Sequence, residues 1–136
     1  MSKALCSLLL LLTLCATAGC NNIQKSKIAS LLDARDRAVS EQSLEDFSVL
    51  LTDKYDDHGR SKIDVVAQMI NLFEQFEQIS MHSHDRIIRI IDEAHAQCEQ
   101  TYTLKVFADE QWRSLVQKEQ LQFERINEQW RISGGL

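Results

Sequence analysis

Between Gln97 and Ile132 the chain reads QCEQTYTLKVFADEQWRSLVQKEQLQFERINEQWRI, and this alternation constrains the fold more than any other stretch. Side chains two apart share a face of a β-strand. Cys98, Gln100, Tyr102, Leu104 and Val106 therefore lie on one side, and Gln97, Glu99, Thr101, Thr103 and Lys105 on the other. Leu115, Gln117, Glu119, Leu121 and Phe123 repeat the pattern in a second strand. One apolar and one wet face per strand is the mark of an antiparallel sheet covered on one side. A turn centred on Asp109-Glu110 sets Leu104 opposite Leu115, Tyr102 opposite Gln117, Gln100 opposite Glu119 and Cys98 opposite Leu121. A third, short strand is expected after Asn127-Glu128-Gln129.

That register places a polar cluster of Gln100, Tyr102, Gln117 and Glu119 in the middle of the covered face. A carboxylate there without partners is costly, so the cluster predicts an internal hydrogen-bond network or a pocket open to a ligand. Cys98 falls in the same phase and is expected to be a buried, inert thiol.

The upstream segments carry helical periodicity. From Lys25 to Ser40, Ile28, Leu31, Leu32, Ala38 and Val39 form an apolar stripe that includes Arg35, with Asp33, Asp36 and Arg37 expected towards solvent. Ser43-Leu44-Glu45-Asp46 opens a short second helix that buries Phe47, Leu50 and Leu51, and Thr52–Gly59 reads as a loop. Ser61-Lys62-Ile63-Asp64 caps a third helix to Gln75, with a wide apolar arc of Ile63, Val66, Ala67, Met69, Ile70 and Phe73. Ile79 to Ile91 reads as a long strand bulged near Ser83–Asp85, returned by a turn at Asp92-Glu93.

Residues 1–19 form an export signal: Lys3, an apolar run centred on Leu8–Leu12, then small residues. The run is too short to span a bilayer comfortably. Two cleavage readings stand side by side. Ala16-Thr17-Ala18 suits ordinary signal cleavage before Gly19, whereas Thr17-Ala18-Gly19-Cys20 resembles a bacterial lipobox with Cys20 as the lipidated N-terminus. On the second reading residues 20–26 are a polar tether and residues 27–136 the folded domain. Asn21 after the cysteine resembles the outer-membrane sorting pattern, which implies a lipid-anchored protein facing the periplasm. Cys6 and Cys15 leave with the signal, so Cys98 has no partner for an internal disulfide.

The chain after the signal has about 117 residues, one domain's worth with a modest core. It carries 14 basic against 20 acidic residues, an acidic balance that argues against nucleic acid as a partner.

Helix, short helix, helix and then antiparallel strands is the order of the nuclear transport factor 2-like, cystatin-like superfamily, which the chain resembles over residues 26–134. The likeness is carried by Asp33-Ala34-Arg35-Asp36, Ser43 to Leu51, Leu72-Phe73, Tyr102-Thr103-Leu104, Trp112-Arg113 and Trp130-Arg131-Ile132. It implies an α+β fold: a cone-shaped, curved antiparallel sheet of four strands packed on three N-terminal helices. A pocket between sheet and helices comes with that cone. Asn127-Glu128-Gln129 departs from the Gly or Asp usual in the family's last hairpin, so a looser turn is expected.

The superfamily includes isomerases, dehydratases and non-catalytic domains, so fold alone selects no reaction. An acid–base set comparable to its enzymes would be Tyr102, Glu119 and Asp85, with Gln100 as an orienting donor; Asp85 belongs to it if the turn at Asp92-Glu93 places it opposite Gln100, and a bound ligand would meet Gln100, Tyr102, Gln117 and Glu119. The steroid-isomerase branch also expects a tyrosine on its first helix; this helix has none, and Tyr55 sits in a loop. His82 and His84 alternate on one strand face, but neither His58 nor His95 has a sequence reason to join them, so no metal is expected. Asp53, Asp56 and Asp57 lack the spacing of a calcium loop, and without a glycine-rich phosphate loop no cofactor is expected. The sequence therefore suggests a non-enzymatic envelope lipoprotein, anchored in the membrane through Cys20, that binds a small apolar or amphipathic molecule or an envelope protein. An isomerase or lyase using the same pocket is the alternative. Relatives often dimerise through the outer sheet face; here that face is rich in Gln, Glu, Lys and Thr, which points to a monomer or a weak homodimer.

Overall fold

A long helix, α1 (Ser2–Ser40), lies along the concave face of a sheet and supplies much of its cover. The computed structural model describes residues 2–136, with side chains from residue 19 onward. The export-signal reading of residues 1–19, with Cys6 and Cys15, thus rests, Gly19 apart, on side chains outside the described residues. Ile28, Leu32, Arg35, Asp36 and Val39 are buried at spacings that share one helix face. Asp36 is a correction: it turns inward, because Ser83 offers it both a backbone N–H and a hydroxyl. Residues 20–26, expected as a tether, are helical as part of α1, and Gln24 already accepts a hydrogen bond from Trp130 Nε1 at 2.8 Å.

Two short helices follow, α2 (Leu44–Ser48) and α3 (Lys62–Gln75). Ser43 caps α2 by accepting from Asp46 N, and Phe47 is buried. Ser61 and Asp64 form the full capping box of α3, as their spacing predicts. The burial that the wide apolar arc of α3 suggests, against the sheet on one side and other helices on the rest, does not occur: Ile63 is 80% exposed, Ala67 and Ile70 are exposed, and only Val65 is fully buried. The reason is what α3 faces. One side borders a cavity, so the helix needs only the stripe of Val65, Met69 and Leu72 towards it. Between α2 and α3, where a loop was expected, β1 (Asp56–Asp57) and β2 (Arg60–Ser61) pair antiparallel across His58-Gly59, both at positive φ.

Four antiparallel strands complete the domain: β3 (Gln78–Ile90), β4 (His95–Ala108), β5 (Gln111–Ile126) and β6 (Gln129–Gly134), in the order β3-β4-β5-β6. The central hairpin has the register the alternation dictates, with Leu104 on Leu115, Tyr102 on Gln117, Gln100 on Glu119 and Cys98 on Leu121. Its turn residues Asp109 and Glu110 both adopt positive φ, the backbone whose twist matches paired strands. Asn127 and Glu128 do the same between β5 and β6, so the last turn is tight rather than loose. A bulge in β3 between His84 and Ile87 centres on Asp85, at φ 55°. The chain thus has an α+β fold with N-terminal helices on one face of a four-strand antiparallel sheet. Its core joins Ile28, Leu32, Val39 and Phe47 of the helices to Cys98, Leu121, Phe123 and Ile132 of the sheet.

Candidate ligand-binding site

The site begins with the pair at the middle of the covered face, Gln100 and Glu119. Arg35 reaches Glu119 from α1 with two hydrogen bonds, Nη1 to Oε1 at 2.8 Å and Nη2 to Oε2 at 3.2 Å. Gln100 Nε2 donates to the same Oε1 at 2.7 Å, so both carboxylate oxygens are engaged. A planar guanidinium and a carboxylate suit this two-point contact, and the low dielectric of the site strengthens it. Arg35 also lies 5.8 Å from the centroid of the Tyr102 ring.

The network continues towards the N-terminal end of α1. Asp36 accepts from Ser83 N at 2.7 Å and Ser83 Oγ at 2.8 Å. Arg86 donates through Nε to Gln100 Oε1 at 3.0 Å and through Nη1 to Asp33 at 2.6 Å, with Asp36 3.5 Å from its Nη2. The β3 bulge makes this possible. Asp85 and Arg86 both lie in the irregular step opposite Gln100; the positive φ of Asp85 turns its carboxylate outward to His84, and Arg86 takes the inward place.

Of the residues expected in the site, Gln100, Tyr102, Gln117 and Glu119 are brought together. Asp85 is not: its carboxylate turns out to His84, and it lines a second depression with Ile87, Glu99, Gln100, Thr101, Lys118, Glu119 and Gln120 rather than the cavity beside Tyr102. Arg35, Asp36, Ser83 and Arg86 complete the network but were not named as site residues. Arg35 could have been found, because a charged side chain on an apolar stripe needs a partner and Glu119 was the unpaired acid on the sheet face.

Beside the network lies a cavity of about 620 Å³ between α3 and the sheet. Arg35, Glu119 and Tyr102 form its polar end, Val39, Phe47, Met69, Leu72, Leu104 and Leu136 its apolar wall, and Gln68, Asn71, Gln75 and Gln117 further amide groups. Cavities of this size and mixed lining accept small organic molecules. Tyr102 Oη donates to Gln117 Oε1 at 3.0 Å, which leaves the phenol oxygen able to accept and the Gln117 amide able to donate. Burial raises the Tyr102 phenol above its ordinary range, helped by the Glu119 charge and opposed by Arg35, so it is neutral at physiological pH. Glu119, by contrast, has both oxygens engaged, Oε1 by Arg35 and Gln100 and Oε2 by Arg35, which leaves one acceptor site on Oε2.

The histidines do not converge. His82 and His84 stack at 6.2 Å on the outer face, His95 pairs with Asp92 at the β3–β4 turn, and His58 occupies the β1–β2 turn. Among the described residues no group of three or more His, Cys, Asp or Glu side chains could hold a metal ion.

No protein-family model and no curated protein matches the sequence. Solved structures nevertheless share its shape. A protein of unknown function from Mycobacterium tuberculosis superposes with a TM-score of 0.76 at 14% identity, covering 87% of this chain and 72% of its own. A nuclear transport factor 2-like protein with a cystatin-like fold from Novosphingobium aromaticivorans gives 0.72 at 12% identity, over 88% of this chain and 84% of its own. A candidate dehydratase of the same family from Streptomyces avermitilis gives 0.72 at 11% identity, over 84% and 94%. With its helices leading into the four-strand sheet and its cavity between them, the chain has the nuclear transport factor 2-like, cystatin-like fold.

Proposed function

We propose that this protein is a non-enzymatic lipoprotein of the bacterial envelope whose cone-shaped domain binds a small apolar or amphipathic molecule. Membrane attachment through lipid on Cys20 and an outer-membrane location facing the periplasm belong to the same reading. The observation that carries it is the cavity: an apolar wall ending in a polar group of Glu119, Tyr102 and Gln117, where the Glu119 carboxylate is already paired with Arg35 and Lys118 stands at the margin. Such an end can accept or donate hydrogen bonds through Tyr102 and Gln117 without demanding a charged ligand. Support for the envelope address comes from the signal sequence and from Cys20, which is exposed on α1.

Native mass spectrometry of the full chain, purified from bacterial membranes, tests the reading. A retained mass that is released on denaturation, and absent from a Leu104→Trp variant, is expected. A clean apo protein in both forms would transfer the role to a protein partner binding the domain.

A second reading, an isomerase or lyase, is favoured by the presence of Tyr102 and Glu119 on the same cavity. Once a ligand is known, Tyr102→Phe and Glu119→Gln separate the two. Loss of turnover with binding and fold retained supports the enzyme.

A further inference from the structure

The cavity occupies one end of the domain, and the opposite end carries exposed isoleucines beside the candidate lipidation site. Two turns meet there, β3–β4 and β5–β6, joined by Arg125 N donating to Ala94 O at 2.8 Å. α1 passes the same end, where Trp130 Nε1 donates to Gln24. Ile23 and Ile91 are each 57% exposed and Ile126 is 40% exposed, so three large apolar side chains stand unpartnered around it.

The heights of these groups can be compared, because α1 and β3 run in opposite directions, as the contacts of Ser40 with Met81, Asp36 with Ser83 and Ala29 with Arg86 require. From the Asp36–Ser83 contact, α1 runs back to Cys20 over about 24 Å at 1.5 Å per helical residue. From the same contact, β3 runs on to Ile91 over about 23–26 Å at 3.3 Å per strand residue, allowing for the bulge. Cys20 and the tips of the two turns therefore end at one level. The contact of Gln24 with Trp130, itself paired with Arg125 next to Ile126, gives the same result from the other edge of the sheet.

We infer that this end of the domain, with Ile23, Ile91 and Ile126 at its rim, rests on the surface of the bilayer that holds the Cys20 lipid. The inference rests on the lipoprotein reading above. Exposed apolar side chains by themselves need no explanation, and Trp112, Leu115 and Val116 are exposed towards the far end too; what sets the three isoleucines apart is that they lie at the level of an acyl anchor, where the interface would cover them. Asp92, Glu93 and Glu128 stand among Lys25, Lys27 and Arg131 at this end, a near balance that leaves the attraction to the apolar side chains rather than to anionic lipid. One consequence concerns the ligand. Arg35, at the polar end of the cavity, lies about 22 Å of helix beyond Cys20, so the cavity stands clear of the anchoring bilayer. Its ligand then arrives from the aqueous space or from a partner, not by sliding in from the lipid below.

The test uses the full, processed chain in phosphatidylcholine vesicles containing a nitroxide-labelled phosphatidylcholine. A fluorophore is placed in turn at Ile91→Cys, Ile126→Cys and, at the far end, Asp109→Cys; Cys98 is buried and does not compete. Lipid quenching several-fold stronger at positions 91 and 126 than at 109 is expected. Equal quenching at all three, in a chain whose N-terminal peptide carries the acyl mass, overturns the docking and leaves the lipoprotein reading standing. An N-terminal peptide without acyl groups overturns both. Self-quenching at position 91 with none by lipid would mean that a second copy covers this end, and it also overturns the docking.

Discussion

Arg35 and Glu119, 84 residues apart in the chain, meet as a two-point ion pair whose side chains are 3% and 10% exposed. The contact ties the buried face of α1 to the centre of the sheet at the edge of the cavity. Removing one partner leaves the other charge in a dry site, which costs far more than the pair itself contributes. Arg35→Met is expected to destabilise the domain by about 3–5 kcal/mol. The double variant Arg35→Met with Glu119→Leu should recover most of that loss. Urea denaturation of both variants decides it: a single variant that costs under about 1 kcal/mol would show that water reaches the pair.

Asp36 is the second inward acid. Its two oxygens accept from the backbone and hydroxyl of Ser83, and Arg86 lies 3.5 Å away. Asp36→Asn keeps the shape, with its amide oxygen on the Ser83 N–H and its amide nitrogen donating to the Ser83 hydroxyl, but it gives up the charge that strengthens both bonds and faces Arg86. A loss of about 1–3 kcal/mol is expected by denaturant melting. Ser83→Ala in that background should cost less than in the parent chain, because the bond it removes no longer involves a charge.

Two glutamates sit in left-handed backbone, Glu110 at φ 61° and Glu128 at φ 63°. A side chain there costs about 1–2 kcal/mol, while glycine returns about 0.5–1 kcal/mol of that through its larger unfolded-state entropy. Glu110→Gly and Glu128→Gly should therefore each stabilise the fold by about 0.5–1 kcal/mol, read as a shift in denaturation midpoint without a change in slope. A loss of stability in either would mean that the glutamate has a compensating contact in solution.

The strands were legible because their period is local: a two-residue alternation and a two-residue turn fixed the pairing of Gln100 with Glu119 without any knowledge of the helices. The N-cap of α2 and the capping box of α3 were legible for the same reason. What escaped was what one element does to another. Asp36 reads as solvent-facing from its helix alone, since nothing local announces that Ser83 will meet it 47 residues later. Asp85 was expected to face the cavity opposite Gln100, and only the handedness of the bulge decides that Arg86 points inward in its place. The apolar arc of α3 misled in the opposite sense, because a helix bordering a cavity can be apolar without being covered. Arg35 lay between these cases, visible on its stripe yet without an assigned partner.

The environment of Cys98 sets both its reactivity and a pH dependence of stability. It is buried between α1 and the sheet opposite Leu121, and burial pushes its thiol up from 9.0 to about 11. At neutral pH the folded chain should leave it unmodified by iodoacetamide, with alkylation appearing only in denaturant. In the window from 9.0 to about 11 the folded state keeps a proton that the unfolded state releases. Stability from this group is therefore complete below that window and lost as pH rises through it. Subtracting the stability profile of Cys98→Ala from that of the parent between pH 8 and about 10.5 isolates this contribution from the lysines and tyrosines titrating nearby. The difference should narrow as pH rises. A difference that stays flat would mean that water reaches the thiol and that the sheet opens near Cys98 more readily than its packing implies.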